Sequence, residues 1–133
     1  MRTPPAAGQR EATPATSPQW AQSLADGAPG LALLHGERAR AGLAGWEQVH
    51  QLAVAMTRHP VHASVEGTGL FAGAPAVAYA LHTLGHPAYR PALATLDTAI
   101  EALIRRRLAA AYRRIETGQV AQAREYDLIN GLT

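Results

Sequence analysis

Few side chains in this chain are equipped for chemistry. There are six histidines and no cysteine. Five arginines gather as Arg105, Arg106, Arg107, Arg113 and Arg114, and Asp127 stands just ahead of a glycine turn. The missing cysteines exclude disulfides, thiolate metal sites and a cysteine nucleophile within the chain. His59 and His62 flank Pro60, so they do not share a regular helix face, and His82 and His86 straddle Gly85 at a helix end. Structural zinc usually wants four protein ligands, which neither pair supplies, so no metal site is expected here. His82 and His86 are expected near the last carbonyls of their helix. The arginines read as the solvated face of an outer helix, or as a surface that docks something acidic. Asp127 reads from its position as a helix-start aspartate capping backbone N–H groups, and Ser23, in the equivalent place of an earlier turn, is a good cap as well.

The elements that position these residues are announced by a phrase that occurs three times. Ser23-Leu24-Ala25-Asp26-Gly27-Ala28-Pro29, Gly69-Leu70-Phe71-Ala72-Gly73-Ala74-Pro75 and Asp127-Leu128-Ile129-Asn130-Gly131-Leu132-Thr133 share Leu-x-x-Gly, then a small or apolar residue, then Pro or Thr. A repeat at this period means stacked supersecondary units, each too small to bury its own apolar face. The glycines supply backbone freedom at tight turns. Phosphate cradling is the sharper idea, but the phrases lack a lysine and Walker spacing.

Composition agrees with a helical reading. Hydrophobic residues make up 47% and charged residues 17%, as in a folded domain. Aromatics are only 5%, and alanine dominates the apolar set, which favours close-packed helices over sheets. A net charge of +2 is too weak to argue for nucleic acid. No apolar run approaches the roughly 18 residues of a membrane span, and no secretory signal follows Met1, so a cytoplasmic location is the default.

Along the chain, residues 1–19 are Pro/Ala-rich without periodicity and are expected to form a disordered tail, with order starting near Trp20. Pro29 opens a first helix that runs to about Gly42. A second covers about Gly45 to Arg58, with Trp46, Val49, Ala53 and Met56 on one face and Pro60 as its stop. A third, about Ala74 to Leu84, is apolar on nearly all faces and is expected to be buried all round. The fourth opens at Tyr89-Arg90-Pro91 and runs to about Thr117, with Leu93, Leu96, Ile100, Leu103, Ile104, Leu108, Ala111 and Ile115 in one stripe. Each phrase thus launches an apolar helix, and an amphipathic one follows. That alternation is what a two-layered helical ring or solenoid needs.

At these phrases the chain resembles the lanthionine synthetase C-like (LanC-like) cyclases, whose Gly-rich turns open the inner helices of an α/α toroid. The stretches 23–32 and 69–75 are similar to the family's first two turns, although Ala76 stands where a second glycine is usual. Glu125-Tyr126-Asp127-Leu128-Ile129-Asn130-Gly131-Leu132 is similar to its Tyr-Asp-x-x-x-Gly turn. The resemblance implies an all-α fold over residues 20–133, an incomplete α/α toroid truncated in its third repeat. It implies zinc-assisted addition of a peptide cysteine thiolate to dehydroalanine or dehydrobutyrine, followed by protonation of the resulting enolate. Zinc in the family is held by two cysteines and a histidine in later repeats, so no cofactor is expected in this chain and its activity alone is doubtful. Asp127 matches the family's aspartate near the zinc and becomes the candidate catalytic residue. The implied partners are a lantibiotic-type precursor peptide and a lanthipeptide dehydratase, with the arginines as a docking surface for an acidic leader peptide or for the dehydratase. The competing readings are a non-catalytic helical module that binds the precursor peptide or the dehydratase, and an unrelated helical scaffold. An incomplete ring would leave an exposed patch beside the third helix and promote self-association.

Overall fold

The structure is a computed structural model that describes residues 18–66 and 68–127. The described residues form helices α1 (Pro18–Ala21), α2 (Ala28–Arg40), α3 (Glu47–Thr57), α4 (Ala74–Leu84) and α5 (Arg90–Glu116), with single 3-10 turns at Pro87–Tyr89 and Ala123–Glu125. No strand occurs among them; β pairing is limited to isolated bridges. The fold is all-α. The expected disordered tail lies outside the described residues up to residue 17, and helix α1 starts at Pro18. The third phrase beyond Asp127 also lies outside them.

Each helix boundary has a local cause. Pro29 and Pro75 sit in the first turns of α2 and α4, where a missing N–H costs nothing. Glu47 opens α3 with a charge that suits the helix dipole. Gly85 ends α4 at φ 66° and donates its N–H to the Leu81 carbonyl at 3.2 Å. The third helix is found over the residues its pattern predicts, and the others differ by a residue or two at their ends.

α2 and α4 lie side by side and parallel. Their N-terminal turns are bridged between Ser23 and Ala72, and near their C-termini Gly36 of α2 meets Leu84 of α4 so closely that a Cβ would overlap the leucine methyl. Ala28, Ala32 and Gly36 recur every four residues along α2 and are all buried. Small side chains there let the two backbones approach. α3 packs on α2 and α5 packs on α4. The result is two layers, with α2 and α4 inside and α3 and α5 outside. The core holds Val49, Met56, Val77, Leu81 and Leu103, all fully buried, each contributing about 1.5–3 kcal/mol of transfer free energy.

Two expectations change. α4 is not buried all round: Tyr79 is 49% exposed, and His82 and Thr83 are exposed beside it. The stripe on α5 also splits. Leu96 and Leu103 face the core, whereas Ile104, Leu108, Tyr112 and Ile115 stand on an exposed apolar face of the same helix. The physical reason is that these residues recur every three or four positions on a line offset from the buried one, which a count of apolar residues does not resolve. An exposed apolar strip therefore lies on the outer helix as well as beside Tyr79 of α4.

Gly73 has φ 77° and ψ −151°, a region open essentially to glycine alone, and a Cβ there would lie 2.5 Å from the His62 carbonyl oxygen. Gly42 also has positive φ, at 72°, but nothing lies within 4 Å of its would-be Cβ. Gly73→Ala is therefore expected to cost about 3 kcal/mol or more and Gly42→Ala about 1–2 kcal/mol. Urea unfolding followed by circular dichroism measures both, and equal costs would contradict the steric account.

Candidate functional site

The first two glycine phrases meet at the N-terminal ends of α2 and α4. The Leu24 N–H donates to the Phe71 carbonyl at 2.9 Å, and the Gly73 N–H donates to the Gln22 carbonyl at 3.0 Å. The Gln22 side chain, almost wholly buried, completes the junction. Its Nε2 donates to the Pro60 carbonyl at 3.1 Å, and its Oε1 accepts from the His62 N–H at 2.8 Å. The His62 carbonyl in turn accepts from the Ala74 N–H at 2.8 Å. Gln22 thus joins both phrases and the loop between α3 and α4. Gly27 is equally confined: a Cβ there would fall against the Trp20 and Ser23 carbonyl oxygens.

A cleft of about 450 Å³ opens on this junction, lined by Gln19, Gln22, Ser23, Pro60, His62, Ala72 and Gly73. Neither inner helix has a side-chain cap; Gly27 and Gly73 are their N-caps. Ala74 donates its N–H to His62, and Pro29 and Pro75 have none, but the dipoles of the two parallel helices still place partial positive charge at this end of the fold, where it favours negative charge. The expectation that Ser23 caps a helix is corrected. Ser23 lies five residues ahead of the first residue of α2, hydrogen-bonds the Asp26 carboxylate through its hydroxyl and accepts from the Asp26 N–H at 3.4 Å. Asp127 is half-buried, and the residues whose N–H groups it would cap lie outside the described ones.

The histidines separate as well. His59 is exposed in the loop. His62 approaches Ser64 Oγ at 2.7 Å and the Glu66 carbonyl at 3.4 Å through Nε2. His86 is not seated on the final carbonyls of α4; its Nδ1 accepts from the Ala88 N–H at 3.2 Å and caps the 3-10 turn before α5. The α4 carbonyls go instead to Arg40, whose guanidinium donates to Thr83 O at 2.7 Å and Leu84 O at 2.8 Å. Trp46, His50, His86 and Tyr89 form a ring cluster beside it, with His50 Nδ1 and the Tyr89 hydroxyl 2.7 Å apart. Burial raises the Tyr89 pKa. No group of three or more His, Cys, Asp or Glu able to hold a metal occurs among the described residues.

The arginines of α5 do more than face solvent. Arg106 donates to the Ala63 carbonyl at 2.9 Å. Arg107 donates to the Val65 carbonyl at 2.9 Å and to the Thr68 carbonyl, and its burial lowers its pKa below the usual guanidinium value. Arg114 Nε lies 2.7–2.8 Å from both carboxylate oxygens of Glu125. Arg105 and Arg113 keep the expected solvated character. Sequence reasoning missed Gln22 and the loop-holding role of Arg106 and Arg107. Gln22 sits next to the first phrase, but nothing local marks it as buried. The close spacing of Arg106 and Arg107 was visible, whereas their carbonyl partners lie some forty residues away.

Arg107→Ala is expected to destabilise the protein by about 1–3 kcal/mol and to speed limited proteolysis between α3 and α4. Arg107→Lys should restore little, because one ammonium cannot span both carbonyls as a guanidinium does. Unchanged cleavage in both variants would mean that the loop is held by other contacts.

Residues 18–133 match the family described as lanthionine synthetase C-like protein. No curated protein and no solved structure matches the chain. No helix among the described residues is long and apolar enough to cross a membrane. The matched span takes in both paired glycine turns, the two inner helices they launch and the two outer helices that cover them. On that evidence the chain belongs to the lanthionine synthetase C-like family.

Proposed function

We propose that this chain supplies the opening repeats of a lanthionine-forming peptide cyclase. The carrying observation is the direct pairing of two glycine turns that launch parallel inner helices, within a family match over most of the chain. In the proposed reaction a cysteine thiolate of the precursor peptide adds to the β-carbon of a dehydroalanine or dehydrobutyrine. A C–S bond forms, the alkene electrons move onto the carbonyl as an enolate, and the α-carbon then takes a proton. The converging helix N-termini favour that transient negative charge.

Asp127 is assigned to the proton transfer, directly or through a water that it orients. It is half-buried and follows Glu125, which Arg114 anchors to α5. The family's zinc chemistry needs soft thiolate donors. This chain has no cysteine, so its own residues do not fit that ion and no step is assigned to it here. A precursor peptide is the proposed substrate, with a dehydratase supplying its dehydrated residues. A cytoplasmic setting suits a reaction that consumes a reduced thiol. A second reading, a non-catalytic module that holds the peptide or the dehydratase, is favoured by the missing thiolate donors.

Asp127→Asn in the synthetase that contains this chain tests the assignment. Ring closure, followed by thiol alkylation and mass spectrometry, should slow about a hundredfold or more while peptide affinity stays unchanged. Unchanged closure removes Asp127 from the chemistry. No closure in the unsubstituted protein, with peptide still bound, selects the second reading.

A further inference from the structure

A second cavity, of about 420 Å³, lies between the C-terminal half of α5 and residues 119–125. Its lining includes Arg107, Arg113 and Arg114, with apolar surface from Val65 and Ala111. It already holds a carboxylate. Glu125 rests on Arg114 with both oxygens within 2.7–2.8 Å of Nε, and the two side chains keep only 18% (Arg114) and 22% (Glu125) of their exposure. Arg113, by contrast, has no ion-pair partner among the described residues. The guanidiniums therefore outnumber the carboxylate that the cavity contains.

We propose that this cavity is a docking site for an acidic peptide segment. Its glutamate or aspartate carboxylates would sit on Arg113 and Arg114, and its apolar side chains on Val65 and Ala111. Glu125 is then a tethered occupant that the incoming carboxylate displaces. Three features favour a carboxylate-bearing peptide over nucleic acid. The basic groups that line the pocket are three side chains from a short stretch of α5, the pocket has apolar lining, and the chain's net charge is only +2. Arginine also matches carboxylate geometry with paired donors. The choice of a peptide as occupant rests on the peptide-processing reading given above. The location adds to that reading, because Arg107 ties this cavity to the same loop that carries His62 into the glycine-turn cleft.

The test is fluorescence anisotropy on the full chain with a labelled short peptide of alternating glutamate and leucine. Its glutamine counterpart and an oligothymidylate serve as competing probes. The glutamate peptide should bind better than the glutamine one, and more weakly as salt rises. Arg113→Glu should weaken binding about tenfold or more. Glu125→Gln, which keeps the side-chain shape, should tighten it several-fold by freeing Arg114. Arg105→Glu makes the same change in net charge on the exposed side of α5 and should have little effect. Equal losses from Arg105→Glu and Arg113→Glu would overturn the site in favour of general electrostatics. So would unchanged or weaker binding in Glu125→Gln, or equal competition by oligothymidylate. None of these readouts involves ring closure. A failed docking site therefore leaves the cyclase reading standing, and a synthetase without ring closure leaves the binding result standing.

Discussion

The junction at the N-termini of the inner helices depends on the Gln22 side chain. It is buried, so each of its groups must find a partner or cost free energy. It spends its amide on Pro60 and His62 and its backbone carbonyl on Gly73. Those contacts tie the turn before α2, the end of the α3–α4 loop and the turn into α4 in one place. Without them the N-termini of α2 and α4 would keep apolar packing along their sides and the backbone bond from Leu24 to Phe71, with less to set their register. Hydrophobic contact is non-directional, and alanine-rich helix faces slide easily against one another. The hydrogen bonds at Gln22 and the bridge between Ser23 and Ala72 fix which residue meets which.

The same constraint explains the glycines. Each turn packs against backbone carbonyls of the segment that leads into it, which leaves no volume for a side chain. Gly27 is excluded from bearing a Cβ by the Trp20 and Ser23 carbonyls, although its φ of −133° is open to any residue. Gly73 is excluded twice, by its positive φ and by the His62 carbonyl. The repeated phrase is thus a packing requirement at one turn and both a packing and a conformational requirement at the other. The turn motif positions helix N-termini; the chemistry proposed for Asp127 depends on that placement without being contained in it.

Much of the fold was legible in the residues. Proline and glycine fixed the helix limits, and the extent of α4 followed from Gly73, Pro75 and Gly85 alone. Those signals act within a few residues. What was not legible acts over distance. The partners of Arg40, Arg106 and Arg107 are backbone carbonyls about forty residues away, which carry no side-chain signature. The offset between the buried and exposed lines of α5 depends on where α4 lies, not on hydropathy. His86 was misplaced for a related reason. A histidine at a helix end can serve the last carbonyls or the next turn, and Arg40 had already taken the carbonyls of Thr83 and Leu84.

Two of the arginines, Arg40 and Arg107, answer to the character of α4. That helix does not satisfy its own ends: it has no side-chain cap at its start, and the polar side chains at its finish, His82 and Thr83, are exposed. Its neighbours do this from outside. Arg40, at the end of α2, donates to two successive carbonyls at its C-terminus. Arg107, from α5, donates to two carbonyls of the loop that leads into its N-terminus. In both cases one planar group with several N–H donors spans two acceptors, which a single ammonium does less well. Arg40 also lies 5.9 Å from the Trp46 ring, so the same side chain joins α2, α4 and the start of α3. An inner helix can then remain apolar along its length because an inner neighbour and an outer neighbour supply the polar contacts at its two ends.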